Sequence, residues 1–364
     1  MAGVYISFPF CSQKCTYCNF ASGVLPSALK QTYVEALLTE IANHHWRWTP
    51  ETVYLGGGTP SQMDPEALDS ILSCIPWRPW KEATLEAAPG GIIRELAVAW
   101  RRSGINRVSL GVQSFVESEL RRTGRKHTAA IVEQEVAVLR DAGIEEFNVD
   151  LIAGLPGQTE ASWTESLDWI EKLNPPHVSV YMLEVDEDSR LGSEILKGGR
   201  RYGAADVPTD ELIAGFYEQA TARLEQLGIH RYEISNYARR GARSLHNMKY
   251  WKLEPYAGFG ADAHSFDGNV RSQNEESASE YVKQIQEQGS AVTARAESNP
   301  LEERFFVGLR MMDGIRPEPS EWARFQEPIE RFLEEGLLEL DDGSLRLTPQ
   351  GVLLSNEVFA EFIL

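Results

Sequence analysis

Six short apolar runs recur through the first half of the chain, and stretches with the apolar spacing of amphipathic helices lie between them. The runs are Val4–Phe8, Thr52–Leu55, Ala83–Glu86, Arg107–Val112, Phe147–Ile152 and His177–Leu183. The helical stretches fall near 27–45, 65–75, 91–102, 129–142 and 160–172, and another, near 209–227, follows the sixth run. Strands that alternate with returning helices build a parallel sheet with right-handed crossovers. The order predicts an α/β fold, a barrel or partial barrel, whose chemistry gathers where strands end and βα loops begin.

Polar and glycine-rich elements stand at those ends. A cysteine loop follows the first run, Gly56–Ser61 the second, Glu86 closes the third, Gly111–Phe115 the fourth and Asp150–Gln158 the fifth. The cysteine loop, Phe10–Phe20, spaces Cys11, Cys15 and Cys18 as C-x3-C-x2-C, so one short loop can point three thiolates at one metal centre. A [4Fe-4S] cubane normally takes four cysteines, one per iron; three would leave one iron to an exchangeable ligand. Zinc is the competing reading, but it wants a fourth Cys or His at knuckle-like spacing, and the nearest histidines, His44 and His45, lie in a predicted helix. Gly56-Gly-Gly-Thr-Pro is either a tight turn or a place where a ligand approaches bare backbone.

Composition bounds the partners and the compartment. A net charge of -19 argues against nucleic acid and against an anionic membrane as the main partner, leaving at most peripheral membrane contact. No secretory pattern precedes the first strand, and no apolar stretch is long enough to span a bilayer. With only four cysteines, three of them clustered, a reducing cytoplasmic setting is expected and a disulfide framework is not. Cys74, in a helical apolar pattern, is expected to be a buried small hydrophobe.

The 364 residues divide into a core barrel over 1–190, a barrel extension over 191–295 and a small C-terminal domain over 296–364. The extension is dense in aromatic and polar residues from Tyr232 to Asn274, and 275–299 reads as helix, then linker. In the last segment an Asp-Gly pair between alternating runs (Gly336–Gly351) signals a hairpin. Helices plus a hairpin suggest a winged-helix-like α+β module, whose acidity favours docking or dimerisation over DNA binding.

C-x3-C-x2-C after the first strand followed by Gly-Gly-Gly-Thr-Pro resembles the radical S-adenosylmethionine (SAM) superfamily. Glu86-x-x-Pro-Gly90, Gly-Val-Gln-Ser-Phe (111–115) and Asp-Leu-Ile-x-Gly-Leu-Pro-Gly-Gln (150–158) narrow the resemblance to the branch that holds oxygen-independent coproporphyrinogen III oxidase and the HemW-type heme chaperones. It covers nearly the whole chain, tail included. The fold it implies is a partial (β/α)6 barrel in which SAM chelates the open iron. Carried over motif by motif, the resemblance implies that Tyr5, Gly57 and Glu86 contact the cluster-bound SAM, with Tyr17 as an aromatic contact. Gly58, Thr59, Gln113, Arg125 and Asp150 match positions that contact a second SAM in the oxidase. The plainer reading of Gln113 and Asp150 is that they satisfy loop backbone at the barrel mouth. Ala88 departs from the branch's usual Asn and puts any amide contact there in doubt.

Two features set oxidase apart from chaperone. The oxidase resembles C-x3-C-x2-C-x-C, where this chain has Phe20, and it carries an N-terminal extension where the first strand here starts at residue 4. Both point to the chaperone side, with no catalytic residue assigned. His246-Asn-Met-Lys-Tyr-Trp251 matches a chaperone-type H-N-x-x-Y-W pattern, which implies heme near His246, a common type of axial ligand, with Tyr250 and Trp251 against the porphyrin face. Alternatively, His246 bonds locally while the two aromatics fill the core. His264 is a second candidate. The cofactors implied are a [4Fe-4S] cluster, SAM and heme, and the partners are heme-accepting proteins and, through homodimerisation, a second copy. The alternative function is oxidative decarboxylation of coproporphyrinogen III in porphyrin biosynthesis.

Overall fold

A computed structural model describes residues 2–363. At its centre are β1 (Ala2–Phe8), β2 (Pro50–Gly57), β3 (Glu82–Ala87), β4 (Arg107–Gln113), β5 (Glu146–Ala153) and β6 (His177–Met182). Each pairs in parallel with the next in chain order. The chain returns through α1 (Ser27–Asn43), α2 (Pro65–Ser73), α3 (Arg94–Arg102), the short α4 (Glu117–Arg122), α5 (Ala129–Asp141) and α6 (Glu160–Leu173). Several start where the sequence supplies a cap: Asp64 accepts from the Glu66 and Ala67 amides ahead of Pro65, and Thr159 and Ser162 form a reciprocal capping box. Cys74, expected inside, is exposed just past the end of α2; the apolar face of that helix is made by Leu68, Ile71 and Leu72 instead.

The strands alternate in a way that fixes the interior. Val4, Ile6 and Phe8, Val53 and Leu55, Val108 and Leu110, Val149 and Leu151, Val178 and Val180 are buried and belong to the main hydrophobic core. Each such side chain contributes about 1.5–3 kcal/mol on burial. The residues between them are mostly polar: Tyr5 and Ser7, Thr52 and Tyr54, Thr84 and Glu86, Ser109, Asn148 and Asp150, Ser179 and Tyr181. They share the opposite face of the sheet, because strand side chains alternate. In a flat sheet β2 and β6 would stand four strand spacings, about 19 Å, apart. Yet Tyr181 on β6 acts electrostatically on Tyr54 of β2 and on Glu86 of β3. The sheet is therefore curved, and its polar face lines a lumen.

The arc stays open. β1 takes β9 (Tyr256–Phe259) as its outer neighbour and β6 takes β8 (Asn236–Ala238), so the two ends do not meet. β7 (His230–Arg231) completes one edge of the twelve-stranded sheet; β10 (His264–Phe266), β11 (Val270–Asn274) and β12 (Val292–Glu297) complete the other. β12 lies where a linker is expected. Its side chains are almost all exposed, so it lacks the apolar alternation by which a strand is recognised. The same stretch of chain supplies α7 (Arg190–Leu196), α8 (Asp210–Gln226), α9 (Leu245–Trp251) and α10 (Ala278–Gln288).

The tail is built of α11 (Pro300–Phe306), α12 (Pro319–Arg324), α13 (Gln326–Glu334), the hairpin β13 (Leu338–Asp341) and β14 (Ser344–Leu347), and two short helices, α14 (Pro349–Leu353) and α15 (Ser355–Ala360). The hairpin turns on Asp342 and Gly343, both at positive φ (47° and 76°), as a two-residue turn that matches strand twist requires. Phe305, Phe325, Phe332 and Phe362 pack ring against ring beneath it. The tail is tied to the barrel extension by backbone bonds, Ile234 N–H to the Arg310 carbonyl (3.1 Å) and Met312 N–H to that of Tyr232 (3.0 Å).

Candidate cofactor-binding site

The cysteine loop leaves the carboxyl end of β1 and is pinned on three sides. Cys11 N–H donates to the Gly23 carbonyl (2.8 Å), Thr16 N–H to that of Thr123 (3.3 Å), and Leu191 N–H to that of Thr16 (2.8 Å). The Gly-Gly-Gly-Thr turn after β2 forms its floor: Gly58 N–H donates to the Phe8 carbonyl and Thr59 N–H to that of Phe10, both at 2.9 Å. A Cβ on Gly58 would lie 2.7–2.8 Å from the backbone of Phe8, Pro9 and Phe10. Glycine is thus required there by the cysteine loop itself, and the Gly58 and Thr59 amides are spent on it. Cys11, Cys15 and Cys18 are half-buried free thiols, and burial pushes the Cys18 thiol up. Among the described residues no three His, Cys, Asp or Glu side chains close on a single-ion position. A cubane asks less of the loop, since each thiolate meets its own iron.

Arg125 joins the loop to the barrel. Its Nε donates to the Tyr17 hydroxyl (3.1 Å) and its guanidinium to the Gly111 carbonyl (2.5 Å). Burial works against its charge, but Tyr17 and Cys15 beside it more than offset this and hold it cationic. Gln113 at the end of β4 has a φ of 70°, and its Oε1 is buried with no hydrogen-bond partner. The Thr16 hydroxyl in the cysteine loop is likewise buried and unpartnered. These two unpartnered polar groups, one in the cysteine loop and one at the end of β4, leave hydrogen-bonding capacity for a polar guest.

Deeper in the lumen stand two carboxylates. Glu86 accepts from the Tyr54 hydroxyl at 2.8 Å and from the Gly57 amide. Burial pushes its pKa up to about 7, with Asp150 adding to the rise. Asp150 is held by Asn148 (2.6 Å) and Ser109 (3.4 Å), and burial raises it too. Tyr5 stacks 6.3 Å from Tyr54 on the neighbouring strand, its phenol raised by burial and Glu86. The structure thus brings Tyr5, Gly57, Glu86 and Asp150 together in the lumen, and Tyr17, Gln113 and Arg125 against the cysteine loop.

His246 lies elsewhere. Its helix α9 sits at the amino ends of the strands, the opposite mouth from the cysteine loop. Glu82, the first residue of β3, accepts from the Ser244 hydroxyl (3.3 Å) and the Leu245 and His246 amides (2.8 and 2.9 Å), capping that helix. The His246 Nδ1 bonds Thr52 Oγ1 (2.9 Å), its Nε2 bonds the Tyr250 hydroxyl (2.7 Å), and the ring stacks 5.2 Å from Tyr54. Burial and Lys249 lower its pKa to about 3, so it is neutral. The ring is buried and both nitrogens are engaged, which is the local bonding that the sequence leaves open beside heme ligation. Trp251 lies under the Arg310 guanidinium, 4.5 Å from its ring centroid. His264 is exposed at the start of β10. Residues the motifs did not pick out are Thr52, Tyr54, Glu82 and Tyr181; all lie on the polar alternates of their strands, and that alternation is the signal that finds them.

The comparisons decide the family. Residues 5–170 match the Radical SAM superfamily model and 297–354 the HemN C-terminal domain model. The chain is 33% identical to the heme chaperone HemW of Bacillus subtilis over 100% of this chain and 99% of that protein. The chain belongs to the radical SAM superfamily, in its HemN and HemW branch. HemW of Lactococcus lactis is 32% identical over 99% of this chain and 97% of that one, and a mitochondrial radical S-adenosyl methionine domain-containing protein 1 of Bos taurus is 30% identical over 100% and 87%. Among solved structures, coproporphyrinogen III oxidase (HemN) of Escherichia coli superposes with a TM-score of 0.85 over 99% of this chain and 89% of that one, at 21% identity, a likeness of fold.

Membership in this superfamily implies a [4Fe-4S] cluster and SAM, and the residues fit both. Cys11, Cys15 and Cys18 would hold the cluster, which supplies one-electron chemistry and an iron corner that no cysteine takes. Gly58 and Thr59 shape the loop that presents the thiols. Arg125 keeps a positive charge beside Cys15 and Tyr17. Glu86, flanked by Tyr5 and Tyr54, offers a carboxylate that can accept from hydroxyl or ammonium groups in the lumen.

Proposed function

We propose that this protein is a heme chaperone: it holds a [4Fe-4S] cluster on Cys11, Cys15 and Cys18, binds SAM in the lumen beside Tyr5, Gly57 and Glu86, and delivers heme to heme-accepting proteins. The observation that carries the reading is the likeness, spanning cysteine loop and tail alike, to proteins named as heme chaperones. Phe20, standing where the oxidase pattern has a fourth cysteine, supports it. Gln113 and Asp150 are the polar groups best placed for further SAM contacts, and Arg125 is assigned to positioning Cys15 and Tyr17. Free cluster thiols call for a reducing compartment, so the cytoplasm is the proposed location. No helix among the described residues is long and apolar enough to cross a membrane. Homodimerisation coupled to cluster assembly is part of the proposal.

Anaerobic reconstitution followed by heme titration tests this directly. The expected result is about four irons per chain, saturable SAM binding and a shift of the heme Soret band. Conversion of coproporphyrinogen III to protoporphyrinogen by the reduced, SAM-loaded protein would replace the chaperone reading with the oxidase.

A further inference from the structure

The rim around the cluster-side mouth exposes several large apolar side chains. Phe20 at the end of the cysteine loop and Val24 shortly after it are each 66% exposed, Leu196 on α7 is 63% exposed and Tyr202 is 37% exposed. Scattered apolar side chains are ordinary on a protein surface, but a contiguous group marks a binding site. These belong to segments in direct contact. Arg190 donates to the Lys14 carbonyl and lies over the Tyr202 ring, 5.6 Å from its centroid. Lys14 in turn donates to the Phe20 carbonyl (3.1 Å), and Asn19 donates to Asp186 (2.6 Å). Tyr202 and Gly203 both have positive φ, 58° and 77°; a tyrosine held in the left-handed region is uncommon and points to a function for its orientation.

The same rim carries both signs: its bases stand among Glu184, Asp186, Glu187, Asp188, Glu194 and Asp206. Lys14, Arg190, Lys197, Arg200 and Arg201 gather there, and none of the five has a carboxylate ion-pair partner among the described residues. The nearby acids are engaged in part: Asp186 by Asn19, Asp206 by Arg122, and Glu194 by the Arg201 amide; Glu184, Glu187 and Asp188 lie on the stretch before Arg190. Exposed apolar side chains beside arginines that have no carboxylate partner suit a flat apolar molecule with carboxylates on one edge. Aromatic side chains stack on its face, and arginine forks bind its carboxylates.

We propose that heme docks on this rim, its macrocycle on Phe20, Val24, Leu196 and Tyr202 and its propionates on Arg190, Arg200 and Arg201. The proposal rests on the heme-chaperone reading and gives that reading a site distinct from the buried His246. It gives Phe20, the residue in place of the oxidase's fourth cysteine, a role in cargo binding. Recognition through ring face and propionates leaves the iron out of the contact, so metal-free protoporphyrin IX binds as heme does.

The test titrates the full-length, cluster-reconstituted protein with heme, metal-free protoporphyrin IX and heme dimethyl ester. The variants are Arg200→Glu with Arg201→Glu, and Phe20→Ser; iron content and thermal melting are checked for each. The charge reversal is expected to weaken heme about tenfold, roughly one exposed charge-assisted contact, and to leave the ester unchanged. Phe20→Ser is expected to weaken all three ligands. If the arginine variant binds heme as the wild type does, heme sits elsewhere; the rim proposal falls and the chaperone reading stands. If the variants alter the oligomeric state without changing heme affinity, the rim receives a second copy, and the proposal again falls. If the wild type binds no heme, both readings fall together.

Discussion

Glu86 gathers in one side chain the burial, the phenol contact and the backbone amide that define the lumen. With its pKa raised to about 7, the folded protein retains a proton there that the unfolded chain has released above about 4.5. Stability from this group is therefore greatest at low pH and is lost as pH rises from about 4.5 through 7. Glu86→Gln should remove that slope, so that the SAM-free variant melts higher than wild type at pH 8 and the difference narrows towards pH 5. SAM binding should run the other way, strengthening from pH 6 to pH 8 in wild type as the carboxylate ionises, and staying flat and weak in the variant by equilibrium dialysis. His246 illustrates a different kind of residue. Its ring bridges Thr52 and Tyr250 and supports Tyr54, which in turn holds Glu86. His246→Ala should cost about 2–4 kcal/mol in urea unfolding, from the cavity and the unpaired hydroxyls, while heme affinity stays as in wild type.

Elements set where these residues meet. Helix α9 is seated under the barrel by Glu82 at its amino end and by Lys249, which pairs with Glu51 (3.0 Å) and Glu254 (2.9 Å). Gly3 makes room for it, since a Cβ there would come within 3.1–3.2 Å of His246 and Lys249. Glu82→Ala strips the cap from three donors and a nearby carboxylate from the buried Arg107, 4.0 Å away. It should lower the urea midpoint by an amount worth about 2–4 kcal/mol. The turn after β2 is the matching device at the other mouth. Gly58→Ala would force a methyl against the backbone of the cysteine loop, and overpacking of that kind costs about 1–3 kcal/mol. The expected readout is a lower melting temperature together with a fall in iron content on reconstitution, because the strain falls on the loop that carries the thiols.

At the scale of the whole molecule, the curved sheet keeps the two mouths apart: cysteines and rim at one, α9 at the other, with the polar lumen between them. A triple Cys11→Ser, Cys15→Ser, Cys18→Ser variant should therefore lose its iron yet keep a cooperative melt, since the core strands and helices do not run through the loop; a collapsed melt would mean that the loop is structural. The tail closes on the extension through Arg271, whose guanidinium forks onto Glu303 (Nε–Oε1 3.0 Å). The βα order, the cysteine spacing and the glycine turn were legible in the sequence because each is local: the period of a strand or helix, or the reach of one loop, is written within a few residues. The exposed edge strand β12 was not legible, since it buries nothing that would impose alternation. Cys74 was misplaced because its helix turns another face inward. The place of His246 was hidden for a longer-range reason. Its neighbours Thr52, Tyr54 and Glu82 lie more than 160 residues away in the chain, and only the return of the chain through α9 against the amino ends of β2 and β3 brings them together. By itself the sequence determined a parallel α/β arc with a three-thiol loop at the carboxyl end of its first strand. The tertiary structure alone decided which polar side chains share the lumen, which histidine is locked away and which apolar and cationic groups meet on the rim, because burial and pairing across strands depend on curvature that no local pattern records.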